Sequence, residues 1–541
     1  MPIRQKIFLA ALFGLMLGLS YPPFPTGFLA FFAFTPLFAL IESTEQPGQV
    51  FRLSYAGFFI FNLITLYWPG GFVHGKDLYL MTAGASLLIA HPLFFFIPVY
   101  LFTAARKRLG FETSLLLFPV FWVSFEYVHS VTQLAFPWLL LGNTQSYDLS
   151  ALQFSSLTGV YGVSFWIVSI NVLSYSIYAN LRRKRWQLAD WKPPIAIAGV
   201  VVLYLLPKLY GHEVLKNYSD AGSPSVRIGI VQPNIDPFEK WEGKPDPQLS
   251  ILQGMTADVA RSRPDLILWP ETAVPYYLSE PRHSVQLAMI KQQVDTLNVN
   301  LLTGVPEIVR YPDQASAPLG SKAFSDGTAY ETFNACMLFT PDSGEIQKYA
   351  KMLLVPFAER VPFSDLLTGL NAAKWNFGLG GWNVGRSQTL FAINLAGKST
   401  GGREIKFSTL ICYESIFPGF VAGFVREGAE FLTVITNDSW WGNTSGPYQH
   451  IEIGILRAIE NRRWVVQCSN GGISGFVDPS GHLHEATTMF ARGVAVADIA
   501  AHKELTFYTT FGDWFAQICS IITLLLMLGF FGKYVYSRSI R

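Results

Sequence analysis

Two kinds of apolar pattern divide the chain. Long unbroken runs dominate the first 210 residues, near 7–21, 27–42, 53–68, 79–104, 114–130, 163–180 and 193–210, and an eighth lies near 513–532. Each approaches the ~20 residues that cross a hydrocarbon core of roughly 30 Å. The pattern predicts an α-helical membrane bundle of about eight spans. From about residue 225 the texture changes to short apolar runs separated by helical spacing and turn residues. Val226–Val231, Leu266–Trp269, Val299–Val305, Thr332–Phe339, Ile346–Lys351, Lys406–Cys412, Phe431–Thr436, Val465–Cys468, Ser474–Val477 and Val494–Ala497 read as strands. Leu252, Met255 and Val259 recur at helical spacing after Asp246-Pro247, and Ile451, Ile455, Ala458 and Ile459 do so after Pro447. Pro341-Asp-Ser-Gly344 marks a hairpin. Mixed strands and helices over roughly 280 residues predict one layered α/β domain, with no sheet order implied. The expected organisation is a bundle of about seven helices over 1–211, an α/β domain over 212–510, and a last helix with its tail over 511–541.

Composition supports the split. Charged residues make up 14% of the 541 and aromatics 15%, too few charges for an ordinary soluble enzyme. The net charge of +2 and the lack of a basic stripe exclude a nucleic-acid partner. Positive charge alternates between the loops. Arg4 and Lys6, Arg52, Arg106 to Arg108, Arg182 to Arg185, and Lys533, Arg538 and Arg541 fall on one side, and Lys76 stands nearly alone on the other. The positive-inside rule then places both termini in the cytoplasm and 212–510 outside it. Few charges lie within the spans. Glu42 and Asp513 sit at span ends and Glu126 about one turn inside, which argues against an ion pathway. The loop 131–162 carries Phe136-Pro137-Trp138 and Tyr161, which suit either an interfacial aromatic belt or a lipid access route. The four cysteines, Cys336, Cys412, Cys468 and Cys519, have no metal or disulfide spacing, so neither a metal nor another cofactor is expected.

Three segments place a reactive side chain at the end of an expected strand. Trp269-Pro270-Glu271 stops a strand at a residue that cannot donate to the ladder. Lys351 opens Lys-Met-Leu-Leu-Val-Pro-Phe-Ala-Glu359, and Cys412 ends an apolar strand in Ile-Cys-Tyr-Glu414. Their roles are complementary. A thiol is mostly protonated at neutral pH, a carboxylate can take its proton, and an ammonium favours both the thiolate and an oxyanion. The product of attack on a carbonyl is a thioester. Taken singly, each residue has an ordinary use as turn, solvated or core residue; their order along one α/β domain favours chemistry.

Trp-Pro-Glu, Lys with Val-Pro-Phe-x-Glu, and Ile-Cys-Tyr-Glu resemble the Glu-Lys-Cys motifs of the nitrilase, or carbon–nitrogen hydrolase, superfamily. Combined with the spans, the chain is similar to the apolipoprotein N-acyltransferase family over nearly its whole length. Phe136 to Gly142, Gln232 to Ile235, Asn437-Asp438-Ser-Trp-Trp-Gly442 and Gly446 to His450 add to the resemblance. It implies an αββα sandwich held outside the bacterial inner membrane. It also implies Cys412 as nucleophile, Glu271 as general base, Lys351 as the oxyanion-steadying lysine and Glu359 as a second essential glutamate. Trp241, Tyr413, Glu414, Asn437 and Trp440 match positions near the family's pocket. Lys348 is a rival for the lysine role, though the spacing to Val355-Pro356-Phe357 favours Lys351. The implied partners are a phospholipid acyl donor and a diacylglyceryl-modified apolipoprotein acceptor. The implied reaction is ping-pong transfer to the acceptor's α-amino group. A membrane-tethered amidase and a non-enzymatic scaffold or transporter are the competing expectations. The apolar stretch 363–383 suits either a lipid-facing arm or a packed surface loop.

Overall fold

The computed structural model describes residues 1–187, 191–242, 246–318, 320–363, 381–395 and 403–539, without the side chains of 241–242 and 533–539. Most of the stretch 363–383 therefore lies outside the described residues. The chain forms two compact units. One comprises Met1–Gly70, Gly84–Tyr218 and Phe511–Arg541; the other comprises Gly71–Ala83 and Ser219–Thr510. The sequence boundary at 211/212 thus falls inside a helix, Lys192–Asn217, that runs six residues further. The segment Gly71–Ala83, a loop and the first turns of the fourth expected span, groups with the α/β unit.

The first unit is helical. Among the described residues five helices are long and apolar enough to cross a membrane: Leu78–Leu109, Phe111–Ser130, Ser155–Arg182, Lys192–Asn217 and Trp514–Gly532. The first three expected spans are helices outside that group. Ile3–Gly18 and Ala30–Glu42 have 16 and 13 residues, about 24 and 20 Å at 1.5 Å per residue. Pro47–Thr65 is diluted by Gln49, Arg52, Ser54 and Asn62. Aromatic side chains fill the space between helices. Phe34 meets Trp122 edge-on at 4.7 Å, and Phe58 stacks on Phe95 at 4.5 Å. Gly14 lets Ile3–Gly18 lie against Pro47–Thr65, because a Cβ there would sit 2.2 Å from the Gly57 carbonyl oxygen. Trp138 and Tyr161 are buried inside this unit, Trp138 against Trp68 at 4.8 Å, so neither forms an outward aromatic belt. Glu126 is also internal. It accepts from Trp122 Nε1 at 2.9 Å and from the Leu141 amide at 2.7 Å, bracing the chain at Leu141.

The second unit holds thirteen strands among the described residues: β1 Ser225–Gln232, β2 Leu266–Leu268, β3 Asn300–Tyr311, β4 Lys322–Ala323, β5 Ala329–Phe339, β6 Ile346–Ala350, β7 Phe391–Asn394, β8 Glu404–Ile411, β9 Phe431–Thr436, β10 Val465–Ser469, β11 Gly475–Val477, β12 Leu483–His484 and β13 Gly493–Ala500. They form two sheets. The first runs β13-β1-β2-β3-β5-β4 with β6 added to β5; the second runs β12-β11-β10-β9-β8-β7. Each has a parallel centre, β1-β2-β3 and β8-β9-β10, with antiparallel strands outside it. Parallel strands buried on both faces read as continuous apolar runs, as Phe431–Thr436 does, with all six residues buried. Helices Asp246–Ala260 and Ser284–Leu297 bury Leu252, Val259, Ile290 and Val294 in the core of the first sheet. The two sheets meet face to face, where the Cys468 thiol on β10 lies 3.4 Å from the Val231 and Leu268 carbonyl oxygens. Two stacked mixed sheets with helices packed on the first make the layered α/β arrangement that the sequence pattern predicts.

Candidate active site

β2 stops where expected. Pro270 follows Trp269, and its carbonyl accepts from the amides of Ala273 and Gly304. β3 can come this close only because residue 304 is glycine. A Cβ there would stand 2.4 Å from the Thr272 nitrogen and 2.7 Å from the Glu271 Cα. The turn ends in Thr272 at φ 45°, a left-handed conformation that β-branched residues rarely adopt. Glu271 is buried there, and its Oε1 accepts from Asn334 Nδ2 at 2.7 Å.

Lys351 follows β6 and is 1% exposed. Its amide donates to the Asn334 carbonyl at 2.8 Å, so one residue of β5 anchors both the lysine and Glu271. Lys351 Nζ lies 2.8 Å from Glu359 Oε1 and 3.5 Å from Glu271 Oε1. Asn334 Nδ2 also reaches Glu359 Oε1 at 3.3 Å, and the Val355 amide holds the other Glu359 oxygen at 2.8 Å. Burial alone disfavours an ammonium here. Glu359 and then Glu271 outweigh it and lift the Lys351 pKa above the ordinary lysine range. Lys348 is excluded from this cluster; it pairs with Glu307 at 2.6 Å.

β8 delivers Cys412. The backbone leaves the strand through Cys412 at φ 51° and enters the short 3-10 turn Cys412–Ile416. A non-glycine residue in this region stores local strain, which the surroundings must hold. Glu414 does part of the holding from below. Its carboxylate accepts from the Ile411 amide at 2.8 Å, Tyr349 Oη at 2.7 Å, and the Met352 and Leu353 amides at 2.7 and 3.2 Å. Glu414 therefore ties the cysteine turn to the lysine loop and lies beneath them. Burial pushes its pKa up to about 7, and these donors pull the other way. Ser415 Oγ donates to the Cys412 carbonyl at 2.8 Å and contacts His450 Nε2 at 2.9 Å; His450 Nδ1 contacts Asp438 Oδ1 at 2.9 Å. The Cys412 thiol is raised well above its usual range by burial and by the Glu271 carboxylate, with Lys351 acting oppositely. Cys336, Cys468 and Cys519 are fully buried, whereas Cys412 is half-buried.

The remaining sequence candidates separate. Tyr413 is buried beside Phe417, with ring centroids 5.1 Å apart. Asn437 accepts from Asn470 Nδ2 at 3.0 Å, a contact within the second sheet's strand-end loops. Trp440 stands half-buried, edge-on to Phe238 at 5.1 Å. The segment 71–83 closes on this pair. His74 Nε2 lies 3.1 Å from the Ser439 carbonyl oxygen and its ring 5.5 Å from Phe238, and Lys76 pairs with Asp236 at 3.0 Å. The Trp241 side chain lies outside the described residues.

The sequence reading did not single out Asn334, Ser415 or Lys240, and it named Asp438 and His450 only as parts of the segments 437–442 and 446–450, without a role. Asn334 carried a usable signal, a polar residue inside the apolar strand Thr332–Phe339. Lys240 did not, since lysine near a turn is ordinarily solvated. Here it is 2% exposed; Nζ donates to Thr272 Oγ1 at 2.7 Å and to the Glu271 carbonyl at 3.3 Å. Burial pushes its pKa down to about 7, with Glu271 pulling upward.

Residues 13–173 match the apolipoprotein N-acyltransferase N-terminal domain, and residues 227–504 match the carbon–nitrogen hydrolase family. Apolipoprotein N-acyltransferase of Chlorobaculum tepidum is 36% identical over 97% of this chain and 96% of its own length. The enzymes of that name from Geobacter metallireducens and Thermotoga maritima are 31% and 28% identical, over 95% and 96% of this chain and 93% and 92% of theirs.

Proposed function

Because the chain belongs to the apolipoprotein N-acyltransferase family, we propose that it moves a fatty acyl chain from a phospholipid to the α-amino group of a diacylglyceryl cysteine. That it is a membrane acyltransferase acting on apolipoproteins follows from the family; the donor, the intermediate and the residue roles are this proposal. Cys412 attacks the donor ester carbonyl while Glu271 takes the thiol proton. The backbone amides after Cys412 and the Lys351 ammonium receive the oxyanion. It collapses to a thioester, and the lysophospholipid leaves with a proton. The lipoprotein α-amine then attacks the thioester, an amide forms, and Cys412 regains its proton.

The observation that carries this reading is that Glu271 and Lys351, the latter paired with Glu359, act electrostatically on Cys412, which leaves its strand at φ 51°. A thiol held neutral at rest needs a base at the moment of attack, and the cation nearby is pinned in its charged form. Glu359 keeps Lys351 charged, and Glu414 and Asn334 fix the two arms against each other. Membrane anchoring fits the substrates. Each buried methylene contributes ~0.8 kcal/mol to anchoring, so donor and acceptor react without leaving the bilayer surface. The positive loops support an extracytoplasmic α/β unit on the outer side of a bacterial inner membrane, with both termini inside and about eight helices in the bundle.

The test uses the full chain in detergent with a phospholipid and a synthetic diacylglyceryl-cysteinyl peptide bearing a free α-amine. The expected product is a peptide heavier by one acyl group, with one lysophospholipid released per peptide. An N-acetylated peptide should gain nothing. Turnover of small amides with no acyl gain by the peptide would instead support a tethered amidase.

A further inference from the structure

Glu271 is held at its carboxylate by Asn334, yet its backbone is held by a residue from a different part of the unit. Lys240 lies in the short helix Glu239–Glu242 and buries its ammonium against the turn that carries Glu271. Two polar contacts of this ammonium fall on consecutive residues, the Glu271 carbonyl at 3.3 Å and the Thr272 hydroxyl at 2.7 Å. Thr272 is a β-branched residue held at φ 45°. Such a residue stays left-handed only when its surroundings over-determine it. Gly304 presses on the turn from one side, and Lys240 clasps it through the hydroxyl and the adjacent carbonyl.

The same loop reaches outward. The Lys240 amide donates to the Asp236 carbonyl at 3.0 Å, and the Phe238 amide donates to Asp236 Oδ1 at 2.8 Å. Asp236 pairs with Lys76, and Phe238 meets Trp440 and His74. Within five residues the loop thus joins an aromatic rim to the backbone beneath the carboxylate.

We propose that Lys240 is a positioning residue: it sets the aim of the Glu271 carboxylate by clasping the left-handed Glu271–Thr272 turn, and it links that aim to the loop 236–240. This rests on the assignment of Glu271 as general base. Lys240 takes no proton from the thiol and touches no reacting atom. Misplacing a catalytic group by about 1 Å can cost ~10²-fold in rate, and the loss should fall on the chemical step rather than on donor binding.

The experiment measures acylation of Cys412 by intact mass, in the full chain reconstituted with vesicles of dipalmitoyl phosphatidylethanolamine and phosphatidylglycerol. K240M should lower the limiting acylation rate about 100-fold and change the half-saturating lipid concentration less than about twofold. Adding T272G should recover at least about tenfold, because glycine adopts positive φ without a clasp. K240A, which likewise lacks an N–H donor, carries the same comparison if K240M does not fold, and K240Q, which keeps one, should lose less than either. A K240M enzyme as fast as wild type overturns the proposal, as does a loss that T272G leaves untouched. E271Q is the control. If it acylates normally, the assignment of Glu271 fails and this proposal with it; if it is inactive while K240M is normal, only the role of Lys240 fails.

Discussion

The two sheets of the α/β unit contribute different things to one site. The first supplies charge: Glu271 after β2, Asn334 within β5 and Lys351 after β6, joined with Glu359 by contacts of 2.7 to 3.5 Å. The second supplies a neutral nucleophile on a strained turn, with Ser415, His450 and Asp438 fixing its backbone. Separating the roles has a physical use. A thiolate facing two carboxylates at rest would be costly, so the thiol keeps its proton until a carbonyl arrives. One buried ammonium, Lys351, serves both carboxylates of the first sheet, while the turn of the second sheet presents Cys412.

The sharpest way to break this division is E271Q. It should lower acylation of Cys412 by about 10²–10⁴-fold, the usual worth of a positioned base. It should also move the pH midpoint of Cys412 alkylation by iodoacetamide downward. The Glu271 charge raises the thiol, so its removal lets the thiolate form at lower pH. A slower transferase with a more easily ionised thiol would separate base from nucleophile in one variant. An unchanged or higher midpoint would contradict the placement of charge.

K351M attacks the same arrangement from the cationic side. Removing one partner of a buried pair leaves Glu271 and Glu359 without their counter-ion, at a cost of about 3–5 kcal/mol, readable by thermal unfolding. The alkylation midpoint should move upward, opposite to E271Q, because the ammonium favours the thiolate. E359Q should cost less stability than K351M, because Lys351 keeps Glu271 as its partner. If K351M keeps wild-type stability, the cluster is less tightly coupled than its distances imply.

Ser415→Ala is the smallest change and belongs to the second sheet alone. Loss of one hydrogen bond to the Cys412 carbonyl should cost about 1 kcal/mol of stability and a few-fold in acylation rate, with the alkylation midpoint unmoved. The Asp438 carboxylate itself also raises the thiol, so a shifted midpoint would mean that Ser415 controls where the His450–Asp438 pair stands relative to the thiol.

Local chemistry made much of this site readable in the chain. Pro270 announces the end of β2, and the apolar runs before Lys351 and Cys412 end as strands at Ala350 and Ile411. What stayed hidden depends on contacts far apart in sequence. β13 pairs with β1 across more than 250 residues, so no local pattern fixes the sheet order. Short edge strands such as Lys322–Ala323 and Leu483–His484 bury too little to leave an apolar signature. Ser415 and Lys240 look ordinary until the fold buries them, and Asn334 stands out only as a polar interruption of an apolar strand. The segment 71–83 runs into the apolar stretch 79–104, and contacts of His74 and Lys76 with Phe238, Asp236 and Ser439 tie it to the α/β unit.

The central claim is that Cys412 carries the acyl group. Intact mass of the purified full chain, incubated with a dipalmitoyl phospholipid and no acceptor, tests it most directly. The account predicts a wild-type species heavier by one palmitoyl group, absent in Cys412→Ala and discharged on adding the diacylglyceryl-cysteinyl peptide. Peptide acylation with no adduct on the enzyme, or an adduct that persists in Cys412→Ala, would contradict it.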